Sequence, residues 1–492
     1  MKRVVSIIFL ILAIPALCAC SNAIGTSKNK PVPAEAGEKP DSEDSDKQTV
    51  TKGEVNPENG DKQSITKGET NPENDYKQPE MKGEVSVNVY EPSEWLETAA
   101  QMFMTKYPDM KINIDVFYTG TDNLVTENGG TSSMTSRPAG QTREDYIAQL
   151  NNQLLSGKAD DIVITSAGLP LGRYEKMGVF EDLSGYMKAA KEINESNYYM
   201  NVFDAYRTES GALYQLPISA MAIPLVTFDQ EMMERTGIGP AEGTKAMTWR
   251  EALGVGEKMY HASAQLNTFM PNARAIVADV FTKSAVASIN YDSGRVELDR
   301  EKMLDLLGVF KELEDYKTMP DGFDFYNEEY HEPYGVKYAS DVENALWNIR
   351  KESLSLQWKY DDGNIYLSPY YSLDFGINGQ SPKKELAWEF LKFLISDEVQ
   401  TLPSCPNAGV NKKGLQARAE GYAATAGCSA KETEEMVALV DGWISQITAY
   451  RAEDTDLIQI SENIFNEFVN GNLNAEETVE RLNSRLEQYV SE

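Results

Sequence analysis

The run Val85-Ser86-Val87-Asn88-Val89-Tyr90 alternates apolar and polar side chains with a period of two, the pattern of a strand that buries one face. A helix follows: Ser93 is placed to cap it, Glu94 and Glu97 favour its positive end, and Ala99, Ala100, Met102 and Phe103 give it an apolar side before Tyr107-Pro108 stops it. Ile112-Asn113-Ile114-Asp115-Val116-Phe117-Tyr118 alternates again, so the order is strand, helix, strand. Thr119 to Gln141 is polar and glycine-rich, a length typical of loops that are functional or mobile. Helical spacing resumes at Tyr146, Ile147, Leu150 and Leu154, and Asp161-Ile162-Val163-Ile164-Thr165 reads as a buried strand. Strands alternating with helices predict a parallel α/β sheet.

Helical signals dominate later. Thr248-Trp249-Arg250-Glu251 is a capping box. Ser381-Pro382 marks another start, with Leu386, Ala387, Phe390, Leu391 and Leu394 on one stripe. Asn474 and Glu477 open a last helix whose inner face is Val479, Leu482, Leu486, Tyr489 and Val490. These stripes read as core.

Upstream of Val85 the pattern vanishes. Ser21 to Gly83 is rich in Lys, Glu, Asp, Asn, Pro, Ser and Gly and lacks the apolar residues needed to fold. Thr51-Lys52-Gly53-Glu54-Val55-Asn56-Pro57-Glu58-Asn59 returns as Thr66-Lys67-Gly68-Glu69-Thr70-Asn71-Pro72-Glu73-Asn74, and Lys82-Gly83-Glu84-Val85 begins a third copy. Repeats without an apolar face do not stack into a solenoid. Residues 20–83 are therefore expected to be a disordered acidic spacer, about 40–50 Å in mean reach for a flexible chain.

The first residues explain what the spacer hangs from. Lys2 and Arg3 precede an apolar run from Val4 to Ala16, too short to span a bilayer, which needs about 20 such residues. Leu17-Cys18-Ala19-Cys20 closes it in the layout of a bacterial lipoprotein signal, with residues 1–19 cleaved and Cys20 lipidated. An ordinary secretory signal with incidental cysteines is the competing reading. Either way the mature chain lies outside the cytosol.

With 77 acidic against 46 basic residues and a net charge of −31, most of the surface repels a polyanion, which argues against nucleic acid as a partner. The 41% of hydrophobic residues suffice for a large core, and a mature length of about 470 residues suits two lobes. Cys405 and Cys428 are either thiols or a disulfide, which would close a loop of about 23 residues and add roughly 3 kcal/mol. Only His261 and His331 are present, which excludes a His-rich zinc site and leaves few partners for a Ser-His-Asp triad. No metal, cofactor or catalytic residue is expected.

Several segments carry a likeness in their order along the chain. These are Phe103-Met104-Thr105-Lys106-Tyr107-Pro108, Asp160-Asp161-Ile162-Val163, Tyr174 to Leu183, Leu213-Tyr214-Gln215-Leu216-Pro217, Thr248 to Glu251, and Phe375-Gly376-Ile377-Asn378 with Ser381 to Leu394. Through them residues 84–492 resemble the family 1 extracellular solute-binding proteins of ABC importers, which include maltose-binding protein. Two departures stand out: Val342 to Trp347 lacks the family's glycine-lysine pair, and Thr119 to Gln141 looks inserted.

The resemblance implies an α/β, two-lobe periplasmic-binding-protein-like fold of type II, each lobe a mainly parallel sheet flanked by helices. It also implies about three chain crossings, placed by chain order near Met221, Asn344 and Gln380. Lobe 1 would hold 84–222 and 345–378, and lobe 2 would hold 223–344 and 379–492. A solute would bind between them, where the loops after Tyr90, Tyr118 and Thr165 face the cleft.

Sugars need flat aromatic faces plus in-plane hydrogen-bonding groups. Glu91, Trp95, Ser166, Trp347, Trp358, Tyr370 and Tyr371 are the candidates, each aromatic competing with a core role. Asp160 and Asp161 either touch ligand or serve the strand end. The expected function is capture of a sugar or oligosaccharide by a monomeric, membrane-anchored lipoprotein that delivers it to an ABC permease, with peptide or polyamine ligands open. The rivals are a surface-anchored glycoside hydrolase, which needs two carboxylates about 5–10 Å apart, and an adhesin-like module.

Overall fold

The computed structural model describes residues 78–491, apart from 120–123, 126–133, 136–139, 167, 220–223, 264–269, 292, 317–331, 339–340, 368–372, 406–408 and 453. The signal, Cys20 and the repeats lie outside the described residues, as do His331, Tyr370, Tyr371 and most of the 119–141 loop.

The first sheet is assembled from β1 (Gly83–Val89), β2 (Met110–Val116), β3 (Ile162–Ile164) and β4 (Leu216–Pro217). The second holds β5 (Pro224–Asp229), β6 (Ala246–Thr248), β7 (Tyr334–Tyr338) and β8 (Ser353–Lys359). After a short strand β9 (Tyr366–Leu367) the chain re-enters the first sheet as β10 (Asp374–Ile377). The orders are β2-β1-β3-β10-β4 and β7-β5-β8-β6.

The α/β alternation is as the pattern predicts, because apolar faces on both sides of each sheet must be covered by helices. α1 (Glu94–Lys106) starts where Ser93 Oγ accepts from the Leu96 amide at 3.3 Å, and α2 (Arg143–Leu155) buries Tyr146, Ile147, Leu150 and Leu154. α3 (Leu171–Met177) follows β3 and buries Leu171 and Tyr174. On the second sheet, the Thr248–Glu251 box opens α4 (Trp249–Ala262), followed by α5 (Pro271–Ala287) and α6 (Arg300–Glu312); α7 (Asp341–Ile349) contacts β8 but buries Val342, Ala345 and Leu346 in the first sheet's core. α8 (Lys384–Leu394), α9 (Lys412–Ala426) and α10 (Ala430–Ile444) follow β10. A short strand β11 (Ala449–Tyr450) leads to α11 (Thr455–Val469) and α12 (Ala475–Ser491), the latter opened by reciprocal Asn474–Glu477 hydrogen bonds of 2.9 and 3.0 Å. α8 begins at Lys384, later than Ser381-Pro382 suggests; the Ser381 hydroxyl accepts from the Lys383 amide at 3.0 Å and donates to buried Asp161 at 2.7 Å, which ties this turn to the first sheet.

Two details differ from expectation. β1 pairs parallel with β2 and β3, but β10 is antiparallel to β3 and β4. In the second sheet β5 is antiparallel to β7 and β8, and only β8–β6 is parallel. β10 arrives from the other lobe, so the crossing sets its direction, not a strand-helix-strand unit.

The crossings also move. The first lies between Pro217 and Pro224, near the expected Met221. Asn344 and Gln380 are not crossings: Asn344 sits in α7 between two strands of the second sheet, and Gln380 follows β10 within the first lobe. The chain returns between Lys359 and Asp374 and leaves again between Ile444 and Thr455, so 353–359 belongs to the second sheet. Residues 384–444 pack with the first sheet in one core, whereas α11 and α12 complete the second. These positions are fixed by non-local strand pairing, which chain order does not reveal.

Gly376 in β10 is a packing requirement, since a Cβ there would overlap the Phe180 ring and the Thr165 methyl. Gly376→Ala is expected to cost about 1–3 kcal/mol, measured as a lower Tm by calorimetry. An unchanged Tm would show that Phe180 yields without strain.

Candidate functional site

The carboxyl ends of β1, β2 and β3 bring Tyr90-Glu91, Phe117-Tyr118 and Thr165-Ser166 to one edge of the first sheet. The antiparallel β10 contributes its first residue, Asp374, to the same edge, opposite Pro217 at the end of β4. Backbone continuity fixes these neighbours: Phe117 N donates to Val89 O at 3.0 Å, Tyr118 N to Tyr90 O at 2.8 Å, and Thr165 N to Asp374 O at 2.7 Å.

Aromatic rings cover this edge. The Tyr90 ring lies 6.1 Å from Phe117, 6.3 Å from Tyr118 and 5.3 Å from Tyr146, with Phe117 and Tyr146 also 5.3 Å apart. Tyr90 and Phe117 are half-buried and keep surface for a partner, whereas Tyr118 and Tyr146 are buried beneath. Arg143, first residue of α2, donates to Ser166 O at 2.8 Å and so ties the end of the 119–141 loop to the strand edge. Hydrogen-bonding capacity is left over: among the described residues the Tyr146, Thr165 and Ser219 hydroxyls are buried without a partner. Burial without a partner is costly for such groups, and the deficit is met when water or a polar ligand reaches them.

The second lobe meets this edge through the start of α11. Thr455 N donates to Gly168 O at 3.2 Å, directly after the β3 loop. Beyond it, α3 lies against Tyr291 and Tyr489 of the second lobe. Asp454 caps α11 and accepts from the Tyr489 hydroxyl at 2.6 Å and the Tyr291 hydroxyl at 3.4 Å. Burial raises the Asp454 carboxyl above its ordinary value, opposed by the hydrogen bonds from Tyr489 and Leu457.

Of the sequence candidates, Glu91 and Ser166 reach the same sheet edge; Glu91 is exposed, and Ser166 is buried with its Oγ accepting from Asp374 N at 3.4 Å. Trp95 does not: it is 2% exposed, donates to Val399 O at 3.4 Å and belongs to the α1 core stripe, so its helix spacing and not its nearness to β1 decided its place. Trp358 is also core at 1% exposure, stacked at 5.2 Å and 7° under Tyr360. Trp347 is half-buried on α7. Cys405 and Cys428 are thiols, not a bridge.

Sequence reasoning missed Tyr90, Phe117 and Arg143 as edge groups, although their positions right after alternating strands and at a helix start signalled it. It also missed Tyr360 and Arg451, which line a cavity of about 220 Å³ with Asp361 and Asp362 beside the crossings. The Arg451 guanidinium sits 4.9 Å from the Tyr360 ring and 4.0 Å from Tyr366. A second cavity of about 330 Å³ lies among Arg274, Phe310, Phe468 and Leu473, and none of the strand-end loops lines it. The strand-edge geometry outweighs cavity size as a guide, because it is where the two lobes face each other.

Residues 127–402, more than half of the chain, match the model of the bacterial extracellular solute-binding protein family. The chain belongs to that family. No curated protein matches this solute-binding protein's sequence. Solved structures do. A family 1 extracellular solute-binding protein from Alicyclobacillus acidocaldarius is 15% identical, with a TM-score of 0.52 over 84% of this chain and 99% of that one. The sugar-binding protein MalE from Xanthomonas citri is 11% identical, with a TM-score of 0.53 over 83% and 98%. A periplasmic oligogalacturonide-binding protein from Yersinia enterocolitica is 13% identical, with a TM-score of 0.51 over 83% and 99%. At these identities the likeness establishes the two-lobe α/β fold.

Asp161 resolves to a structural role in this solute-binding protein. It precedes β3, at the end of the strand away from the aromatic edge, and accepts from Ser86 N at 2.9 Å, Ser381 Oγ at 2.7 Å and Lys383 Nζ at 3.3 Å. Burial pushes its carboxyl up, but the Ser381 and Ser86 donors and the Lys383 charge outweigh it and hold it below its ordinary value. A depressed folded value means stability that is present above the unfolded value, near 3.9, and is lost as pH falls through the folded one. Asp161→Asn is therefore expected to cost about 2 kcal/mol at neutral pH. The gap in Tm from wild type should hold constant from pH 5 to 8 and shrink below about pH 4. A gap that does not depend on pH would refute the charge's role.

Proposed function

We propose that this protein is the substrate-capturing lipoprotein of an ABC importer, closing two lobes over a sugar or oligosaccharide and passing it to a membrane permease. The observation that carries the reading is the first sheet's carboxyl edge. It combines half-buried Tyr90 and Phe117 faces with Glu91, Ser166, Arg143 and unsatisfied hydroxyls, and it faces a second lobe held by separate chain crossings. Rings offer a surface for the apolar C–H face of a sugar, and the polar groups match its hydroxyls. Two solved structures with this fold are by name a sugar-binding and an oligogalacturonide-binding protein, which supports the same ligand class.

Capture, not turnover, is the proposed activity. Closure follows from tighter binding to the closed arrangement and leaves the solute chemically intact. Lipidation at Cys20 and the 20–83 spacer would hold the lobes on the extracytoplasmic face beside a permease. Among the described residues, no helix is long and apolar enough to cross a membrane.

A panel of mono- and oligosaccharides, peptides and polyamines scored by Tm is expected to give a carbohydrate hit. Saturation at 100 times Kd would stabilise by about 2.7 kcal/mol. Tyr90→Ala should weaken that hit by about tenfold, read by calorimetric titration on protein that still unfolds cooperatively, with the ligand-free Tm lowered by the lost ring contacts. Recovery of a cleaved product from the incubated hit, or stabilisation by peptide alone, would overturn the assignment.

A further inference from the structure

The seam between α3 and the second lobe is packed more closely than two independently moving bodies require. Gly168, at φ +96° before α3, and Gly172, within its first turn, both face the other lobe. A Cβ on Gly168 would overlap the Thr455 hydroxyl, and one on Gly172 would overlap the Tyr291 ring. The two glycines thus bring lobe 1 backbone against lobe 2 side chains. Polar contacts lock the same seam. The Arg173 guanidinium lies 3.9 Å from the Tyr489 ring centroid and donates to Tyr489 O, and Lys176 Nζ donates to Tyr291 O at 3.0 Å. Tyr291 and Tyr489 are in turn fixed by their hydroxyl bonds to the same buried Asp454 oxygen. Asp454 caps α11, whose first residue, Thr455, binds Gly168 O.

We propose that this seam is a clasp that holds the lobes together before any solute arrives. Gly168, Gly172, Arg173 and Lys176 form the lobe 1 half, and Tyr291, Tyr489 and Thr455, organised by Asp454, form the other half. The inference rests on the reading of the chain as a two-lobe capture protein. A clasp of this kind sets the fraction of molecules already closed, and apparent affinity scales with that fraction. Glycine at 168 and 172 is needed because any side chain holds the halves apart. Arginine at 173 is needed because its planar group stacks and donates at once, which lysine does not.

The test is the interlobe distance in the full mature chain, measured by paired spin labels on α2 and α6 with no solute added. The wild type is expected to show one predominant short distance. Gly172→Ala and Arg173→Ala should each lower the closed-to-open ratio by about tenfold, and Arg173→Lys should recover part of it. Both variants leave Leu171 and Tyr174 in the core, so far-UV circular dichroism and Tm should confirm that the lobes stay folded. A variant that unfolds is replaced by Lys176→Ala, which removes the exposed bond to Tyr291 O and should shift the ratio in the same direction. A wild-type distance as long as that of the variants, or variants with an unchanged ratio, would refute the clasp. If the distances shift but no panel solute binds either form, the clasp stands and the capture reading fails. If a solute binds with equal affinity to all forms, the capture reading stands and the clasp fails.

Discussion

Two sheets that share no strand pairing among the described residues must be held in register by three chain crossings, and those crossings converge on Asp374 and Tyr206. Asp374, fully buried, opens β10 where the second crossing lands, and it pairs with Pro217 where the first departs. Its carboxylate accepts from the Tyr206 hydroxyl at 3.0 Å, and the Tyr206 ring stacks at 3.7 Å on Tyr450, in the third crossing. β9 and β11, carried by the second and third crossings, pair in parallel through Tyr366–Ala449 and Leu367–Tyr450. A buried carboxylate is tolerated only when hydrogen-bonded, so this junction is a fixed pivot and not a slack linker.

The same residue couples pivot to cleft. Asp374 O receives the Thr165 amide and Asp374 N reaches Ser166 Oγ, so the loop that faces the second lobe is anchored on the pivot itself. Behind the sheets α7 packs on α10, and Gln357 Nε2 donates to Trp443 O at 2.7 Å in a buried contact, joined by the Arg350–Glu432 pair at 2.9 Å. Val342, Ala345 and Leu346 of α7 share one buried core with Met436, Val440 and Ile444 of α10, so the rear of the molecule is close-packed.

Much of this was readable in the chain because it is local. Alternation at 85–90 and 112–118 gave β1 and β2, and the spacing of Tyr146, Ile147, Leu150 and Leu154 gave the buried face of α2. Reciprocal caps at Thr248–Glu251 and Asn474–Glu477 formed as read, since each joins residues three apart. Where a long-range partner joined in, the local reading slipped: the Ser381 hydroxyl accepts from the Lys383 amide at 3.0 Å but also donates to Asp161, 220 residues away, and the helix starts only at Lys384. Trp95 and Trp358 show the same limit for the site. An aromatic close to a strand end in sequence turns into core or platform according to which helix or ring lies above it.

Local patterning was thus enough to establish an α/β chain and its likeness to solute-binding proteins, because strand and helix periodicity is written within a few residues. Which strands share a sheet, where the chain crosses between lobes, and which tyrosines gather at the first sheet's carboxyl edge were decided only by folding. Those outcomes depend on pairings between segments separated by more than 100 residues, such as Ile164 with Phe375 and Val226 with Val336, and no short-range pattern encodes them.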